Sequence, residues 1–436
     1  MCIDPRTGFE LGDPSVIPLS RGVPSEQAIV QALSRMILSA SGWRTVFAAS
    51  GDEEDARPDV SDTHLALAAL IADTFAEYAA ARCGKNARIV VGIDARPTGT
   101  LIADTMIRVL LGRGLSVEYV FITAAPEIMA YSRQAQGFVY ISASHNPVGH
   151  NGVKFGLDDG GVIPGGEAAR LIAEFKKRCA REDSGQYAAA LIAAASAEAV
   201  SAVYADVPAA KERALAAYRA FTREVISGST DAKTQDKLFD RLGAMLKQKP
   251  LTVVCDMNGS ARTVSIDESF MTACGLGFYA INGTPRGIAH TIIPEAENLV
   301  YCAEAMTSLK TGKIPCAAGA YAALGYMPDC DGDRGNIVFW NEKTQEAQAL
   351  KAQEGFALAV IAELAYSSYL HGCDGTKESL ADCRFAVAVN DPTSLRIDKI
   401  AAAFGAAVVR AEVGEANVVN RARELRAQGY EVRILG

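Results

Sequence analysis

The chain has no His-x-x-x-His pair and no Cys-x-x-Cys pair, so the two commonest spacings of a zinc site are missing. Its five histidines, His64, His145, His150, His290 and His371, do not pair on any helix face. The ten cysteines, among them Cys83, Cys179, Cys255, Cys274 and Cys330, form no compact framework, which points to reduced thiols in a cytosol rather than a secreted disulfide scaffold. No basic stripe is present either: the net charge is -8, from 51 acidic and 43 scattered basic residues, which argues against nucleic-acid binding. No apolar run reaches membrane-spanning length, and residues 1–6, which already carry Asp4, lack the basic start and apolar core of a signal peptide. These absences predict a soluble, cytoplasmic protein with neither nucleic acid nor membrane as a partner. They leave its oligomeric state open.

What is present suits a packed multi-domain protein. A hydrophobic content of 49% with 22% charged residues excludes a disordered or collagen-like chain, and 436 residues exceed one ordinary core. Val60 to Gly84 reads as a helix, capped by Ser61 or Asp62, with Leu67, Ile71 and Phe75 at four-residue spacing and Gly84 closing it. Strand Arg88 to Ile93, helix Thr98 to Gly114 and strand Leu115 to Ile122 follow, an alternation that implies a parallel sheet. A third strand, Gly137 to Ser142, delivers Ser144 to its C-terminal end, where open α/β sheets place their ligands. From Gln186 to Lys249 the chain turns alanine-rich and helical, with a break at Gly228 to Thr230, and a domain boundary is expected near its start.

A second α/β unit opens with Leu251 to Cys255, enters a turn at Asp256 to Ser260 and runs to about Asn341. A third begins with a helix from Glu354 to Leu370. Strand Phe385 to Val389, helix Ser394 to Phe404, strand Ala407 to Val409, helix Asn417 to Gln428 and strand Tyr430 to Leu435 complete it. A chain ending on a central-looking strand is expected to be unfinished, since a final helix normally covers the sheet face.

Two segments carry chemistry. Ser142-Ala143-Ser144-His145-Asn146-Pro147, with Asn151-Gly152-Val153-Lys154 shortly after, puts a hydroxyl nucleophile, an imidazole and an amine near one loop after an apolar strand. Asp329-Cys330-Asp331-Gly332-Asp333-Arg334 sets three carboxylates at alternate positions. They can converge on one cation if glycine lets the loop fold tightly, and oxygen-only ligands suit Mg²⁺. A calcium EF-hand needs Gly at its sixth position and Glu at its twelfth, where this chain has Arg334 and Trp340. A haloacid-dehalogenase-type phosphatase also begins its nucleophile loop with Asp-x-Asp-Gly, but has Thr where Asp333 stands. Against these stand plainer accounts: solvated acidic turns are common, and a Ser-His pair in a loop is often only a turn with local hydrogen bonds.

Together the two segments resemble the active-site serine loop and metal loop of the α-D-phosphohexomutases, the phosphoglucomutase/phosphomannomutase superfamily. Ser41-Gly42-Trp43-Arg44 resembles the family's N-terminal Thr/Ser-Gly-x-Arg-Gly motif with Thr45 in place of the last glycine, and Asp94-Ala95-Arg96-Pro97 its Asp-x-Arg segment. The resemblance runs from about Ser34 to Gly436. It implies successive mixed-sheet α/β domains: domain I over 1–186 with the phosphoserine loop, a helical linker and domain II over 187–341 with the metal loop, and domain III over 342–436. It further implies an intramolecular phosphotransferase, an isomerase of carbohydrate metabolism. Phosphate would move between the C1 and C6 hydroxyls of a hexose, with glucose or mannose phosphate as substrate and hexose 1,6-bisphosphate as intermediate and activator. Ser144 would carry the phosphate, making the enzyme a phosphoprotein, and Asp329, Asp331, Asp333 and a phosphoserine oxygen of Ser144 would hold Mg²⁺. Lys154 would serve as general acid or base, and His145 would orient the loop or share the proton transfer. Arg44, Arg334, Ser41 and Arg96 would bind substrate phosphate.

The chain departs from the family near its end. The Gly-Glu-x-Ser-Gly sugar-reading loop of domain III should start where Gly436 falls, and nothing matches the Arg-x-Ser-rich loop of a fourth, phosphate-binding domain. The expectation is a truncated form of feeble activity, because positioning supplies much of the rate. Two other readings stay open: a non-catalytic phosphosugar-binding protein on the same fold, and a phosphatase with Asp329 or Asp331 as nucleophile.

Overall fold

The computed structural model describes all residues except 20–21, 316–320, 374–375, 377–378 and 381–382, and the side chain of residue 416. Two compact units emerge, Met1–Gln348 and Ala349–Gly436.

The first unit opens with a small hairpin, β1 (Cys2–Ile3) and β2 (Glu10–Gly12), followed by helix α1 (Glu26–Ser34). Six strands then form one sheet: β3 (Ile37–Ser39), β4 (Gly42–Val46), β5 (Arg88–Ile93), β6 (Ser116–Ile122), β7 (Gly137–Ile141) and β8 (His150–Leu157), in spatial order β3-β4-β8-β7-β5-β6. Strand β5 runs parallel to both β6 and β7, as the strand-helix-strand alternation predicts. Strands β8, β4 and β3 are antiparallel additions, so the sheet is mixed.

Helix α2 spans Asp62–Cys83; the Ser61 side chain accepts from the His64 amide, and Gly84 ends the helix at φ 86°, both as expected from the residue types. Alternation along the strands divides the core. Ile89, Val91, Ile93, Val139 and Ile141 pack with α2 and with α3 (Gly99–Gly112) on one face. Val90, Phe138 and Tyr140 pack on the other face with α4 (Ala125–Ser132).

The alanine-rich stretch has a definite task. Helices α5 (Gly165–Cys179), α6 (Ser184–Ala193), α7 (Ala197–Ser227) and α8 (Ala232–Gln248) follow β8, and Ala210, Ala214 and Ala217 of α7 are buried against Val90, Val120, Phe138 and Tyr140. Alanine at these spacings gives a flat helix face that lies close on a sheet. Helix α7 therefore covers the second face of the first sheet.

A five-stranded sheet completes the unit: β9 (Leu251–Asp256), β10 (Gly277–Ile281), β11 (Tyr321–Pro328), β12 (Gly335–Asn341) and β13 (Glu346–Ala349), in order β10-β9-β11-β12-β13. Helices α9 (Asp267–Ala273) and α10 (Val300–Lys310) lie between its strands in sequence. The sheet runs past Asn341, because Gln345 takes a positive φ of 57° and turns the chain into β13. Strands β11 and β12 are antiparallel with Pro328 opposite Gly335, so residues 329–334 form a tight hairpin loop.

The second unit holds α11 (Ala352–Leu370), β14 (Ala386–Asn390), α12 (Arg396–Ala403), β15 (Ala407–Ala411) and α13 (Glu415–Ala427), with β14 and β15 parallel. Residues 430–435, expected as a strand, make only isolated parallel bridges, Phe385 to Glu431 and Ala388 to Leu435. Among the described residues no single helix is long and apolar enough to cross a membrane.

Candidate active site

Two hairpin loops of the first unit meet. One links β7 to β8 and carries Ser142 to Gly149; the other links β11 to β12 and carries Asp329 to Arg334. The second loop is fixed by its own backbone: the Ala125 amide, at the start of α4, donates to the Asp331 carbonyl at 2.8 Å, and the Ala261 amide donates to the Cys330 carbonyl at 3.0 Å. Gly332 makes its turn at φ 70°, and a β-carbon there would lie 2.5 Å from Arg262 Cγ. Cys330 turns away from the carboxylates and packs with Ala95, Val148 and Ile292.

Ser144 adopts φ 56°, in the left-handed region that non-glycine residues seldom occupy, and is 3% exposed. Its Oγ donates to Asp329 Oδ2 at 3.2 Å. Ser142 locks the arrangement: its Oγ accepts from the Ser144 amide at 2.9 Å and donates to Asp331 Oδ2 at 2.9 Å. Lys154 Nζ donates to Asp331 Oδ2 at 3.0 Å and to Asp333 Oδ2 at 3.4 Å. The spacing Asn151-Gly152-Val153-Lys154 has a steric cause. Strand β8 lies between β4 and β7, and a β-carbon on Gly152 would meet Trp43 O at 2.6 Å and Arg44 Cγ at 2.7 Å.

One oxygen each of Asp329, Asp331 and Asp333 lies within 4.8 Å of the others, and Asp329 and Asp331 are fully buried. Burial and the two neighbouring carboxylates push the Asp329 carboxyl well above the usual range. Burial acts in the same sense on Asp331, but the Lys154 ammonium and the Ser142 hydroxyl outweigh it and hold that carboxyl low. Asp331 Oδ1 is buried with no hydrogen-bond partner among the described residues. A buried carboxylate oxygen left open beside two further carboxylates fits a hard cation with oxygen ligands.

The remaining predicted residues divide. His145 adjoins the site; burial, then Arg334 and Arg44, lower its imidazole pKa, and its Nδ1 is buried with no hydrogen-bond partner among the described residues. Arg334 is exposed at the end of the carboxylate loop. Arg44 lies on β4 opposite Gly152 and donates to the Ser41 carbonyl at 3.0 Å, while Ser41 shares a hydroxyl contact of 3.0 Å with Ser39. Arg96 departs from the phosphate-binding role expected of it. It is fully buried, paired with Asp94, and donates to the carbonyls of Ser144 at 2.8 Å and of Asn146 and Pro147. Its guanidinium fork braces the serine loop from beneath, because a buried cation must face acceptors on every side. Sequence reasoning passed over Ser142, although it stands in the quoted motif; the signal was a second hydroxyl two residues before Ser144. It also passed over the Ala125 and Ala261 amides, which no side-chain pattern reveals.

Fold and site together define an α/β protein with a serine hydroxyl, a lysine and three carboxylates gathered at one place, and comparison with known proteins is more specific. Residues 50–182 match a family profile described as phosphoglucomutase/phosphomannomutase, alpha/beta/alpha domain I. Curated relatives named phosphoglucosamine mutase match shorter stretches: 33% identity over 89 residues for that of Alkaliphilus metalliredigens, covering 20% of each chain, and 39% over 80 residues for that of Listeria monocytogenes, covering 18% of each. The matched stretch thus spans about a fifth of the length of these relatives. Among solved structures, a phosphoglucomutase/phosphomannomutase family protein from Burkholderia thailandensis superposes with a TM-score of 0.54 at 16% identity, covering 89% of this chain and 69% of that one. The open form of parafusin, a phosphoglucomutase from Paramecium, gives 0.54 at 16% identity, covering 91% and 68%. The resemblance to the α-D-phosphohexomutase superfamily therefore holds: residues 50–182 match the family's domain I, and the mixed-sheet α/β fold is that of its structures.

Proposed function

We propose that this chain is a phosphohexomutase that interconverts hexose 1-phosphate and hexose 6-phosphate, with Ser144 as the phosphate carrier. The observation that carries the reading is the meeting of the two loops: the Ser144 hydroxyl lies 3.2 Å from Asp329 inside a cluster of three carboxylates, with the Lys154 ammonium bonded to the other two. A hydroxyl buried among carboxylates is poorly placed for hydrolysis by itself. It is well placed as one member of a phosphate and cation site.

Asp329, Asp331 and Asp333 would hold Mg²⁺, which when bound would neutralise charge on the transferring phosphoryl group. In one half-reaction the Oγ–P bond of phosphorylated Ser144 breaks as a sugar hydroxyl forms its own bond to phosphorus, giving a hexose 1,6-bisphosphate. Lys154 would relay the proton: its ammonium gives one to Ser144 Oγ as that oxygen leaves phosphorus and recovers one from the attacking sugar hydroxyl, and when the other phosphate comes back the Ser144 hydroxyl gives its proton through Lys154 to the departing sugar oxygen. The left-handed backbone of Ser144, braced by Arg96 and Ser142, keeps Oγ aimed at the carboxylates. His145 would orient the phosphate-bearing loop, and Arg334, Arg44 and Ser41 would meet the sugar phosphate. The names of the curated relatives support testing glucosamine phosphates beside those of glucose and mannose.

The test has two readouts. Peptide analysis of the purified protein after incubation with hexose 1,6-bisphosphate and Mg²⁺ is expected to find phosphate on Ser144. Conversion between the 1- and 6-phosphates of glucose, mannose and glucosamine is expected to vanish in Ser144→Ala. Phosphate on Asp329 or Asp331 with a fully active Ser144→Ala would establish a phosphatase-type nucleophile instead. Binding of phosphosugar without any transfer would establish a binding protein on this fold.

A further inference from the structure

The second unit brings together two cysteines that the sequence keeps apart. Cys373 Sγ lies 3.2 Å from Cys383 Sγ, and the two sulfurs approach the Ser379 carbonyl at 3.5 and 3.7 Å. Both are anchored by backbone: the Cys373 amide donates to the Ser368 carbonyl at 2.9 Å, and the Cys383 amide to the Leu380 carbonyl at 3.1 Å. Each packs at the edge of the core formed by Ala357, Val360, Leu364 and Phe385 and is partly buried. By contrast, Cys179, Cys255, Cys274, Cys302 and Cys330 are buried.

We propose that Cys373 and Cys383 are a redox modification site, a dithiol that converts to an intramolecular disulfide by exchange with a low-molecular-weight disulfide. Two thiols in contact need only a small side-chain movement to reach the bonding distance of about 2.0 Å. The thiolate of one cysteine attacks the reagent's S–S bond and forms a mixed disulfide; the first small thiolate leaves with the bonding electrons and takes a proton. The second cysteine then attacks the mixed disulfide, the protein S–S bond forms, and the second small thiol departs. Two protein thiols are oxidised, and one small disulfide is reduced to two thiols. Proximity makes the second step intramolecular, so the mixed disulfide does not persist.

The experiment equilibrates the full chain with glutathione and glutathione disulfide at increasing oxidised fraction, quenches with iodoacetamide and maps the peptides. The expected result is a Cys373–Cys383 cross-linked peptide, with loss of two hydrogens, loss of alkylation at both cysteines together, and reversal by dithiothreitol. In Cys383→Ser, whose fold a nearly isosteric change preserves, a single glutathionyl adduct should persist on Cys373. Stable adducts on both cysteines of the unsubstituted chain would overturn the proposal. So would alkylation of both at oxidising ratios, or a disulfide from either one to a different cysteine.

Discussion

Ser142 is the residue whose loss the site should feel most cleanly. Its hydroxyl is fully buried, accepts from the Ser144 amide at 2.9 Å and donates to Asp331 Oδ2 at 2.9 Å, while its backbone amide is separately engaged with the Gly152 carbonyl. Ser142→Ala removes only the hydroxyl. A neutral hydrogen bond contributes about 1 kcal/mol and one to a charged group about 1.5–3, so the two together should cost about 2–4 kcal/mol. The loss is sharpened because the buried Ser144 amide is left unsatisfied, while Asp331 Oδ2 keeps its bond from Lys154. The same change frees the Ser144 loop, held in its left-handed turn partly by this bond, and a misplacement of about 1 Å in a reacting group costs ~100-fold in rate. Urea denaturation should therefore show a stability loss of that size, and phosphorylation of Ser144 by hexose 1,6-bisphosphate should slow by about two orders of magnitude. A variant within about 0.5 kcal/mol of the parent, the size of an ordinary surface change, would refute the assignment of Ser142 as the lock between the loops. So would phosphorylation at the parent rate.

Three further outcomes are expected. Mg²⁺ at about a hundred times its dissociation constant should stabilise the parent by ~2.7 kcal/mol in thermal melts and leave Asp331→Asn nearly unmoved, since the substituted amide cannot supply the open anionic oxygen; equal shifts would remove Asp331 from the cation site. His64, whose pKa burial and then Arg35 lower to about 4, is neutral in the folded protein, so its contribution is complete above the unfolded value near 6.5 and is lost as pH falls toward 4. That loss amounts to ~3 kcal/mol, and His64→Gln should flatten the acid limb of denaturation midpoints between those pH values; an unchanged limb would contradict it. Gly156→Ala should lower stability by ~1–3 kcal/mol or more, because its β-carbon would lie 1.8 Å from the buried Phe138 ring. Adding Phe138→Leu should recover part of the loss, and strictly additive effects would count against the clash.

Much of this protein was legible before any coordinates. The cap at Ser61, the β-branched run Arg88 to Ile93 and the periodicity of α2 are local physics, and local physics is written in short windows of sequence. The motif residues Ser144, Lys154, Asp329, Asp331 and Asp333 were visible for a similar reason, since hydroxyl, amine and carboxylate at close spacing are chemically unusual in a loop. The alanine-rich stretch misled because alanine signals helix but not which sheet the helix covers; only packing against Val90 and Phe138 assigns α7 to the first sheet. Residues 430–435 misled because a β-rich pattern does not decide whether a continuous ladder forms.

Sequence alone determined the chemical inventory and the strand-helix grammar, since both depend on residue type and near neighbours. Tertiary structure decided which groups act together. It carried Asp329 across 185 positions of chain to Ser144 and brought Cys373 against Cys383. It turned Arg96 from a phosphate ligand into a buried brace, because a guanidinium without solvent takes whatever acceptors the fold closes around it.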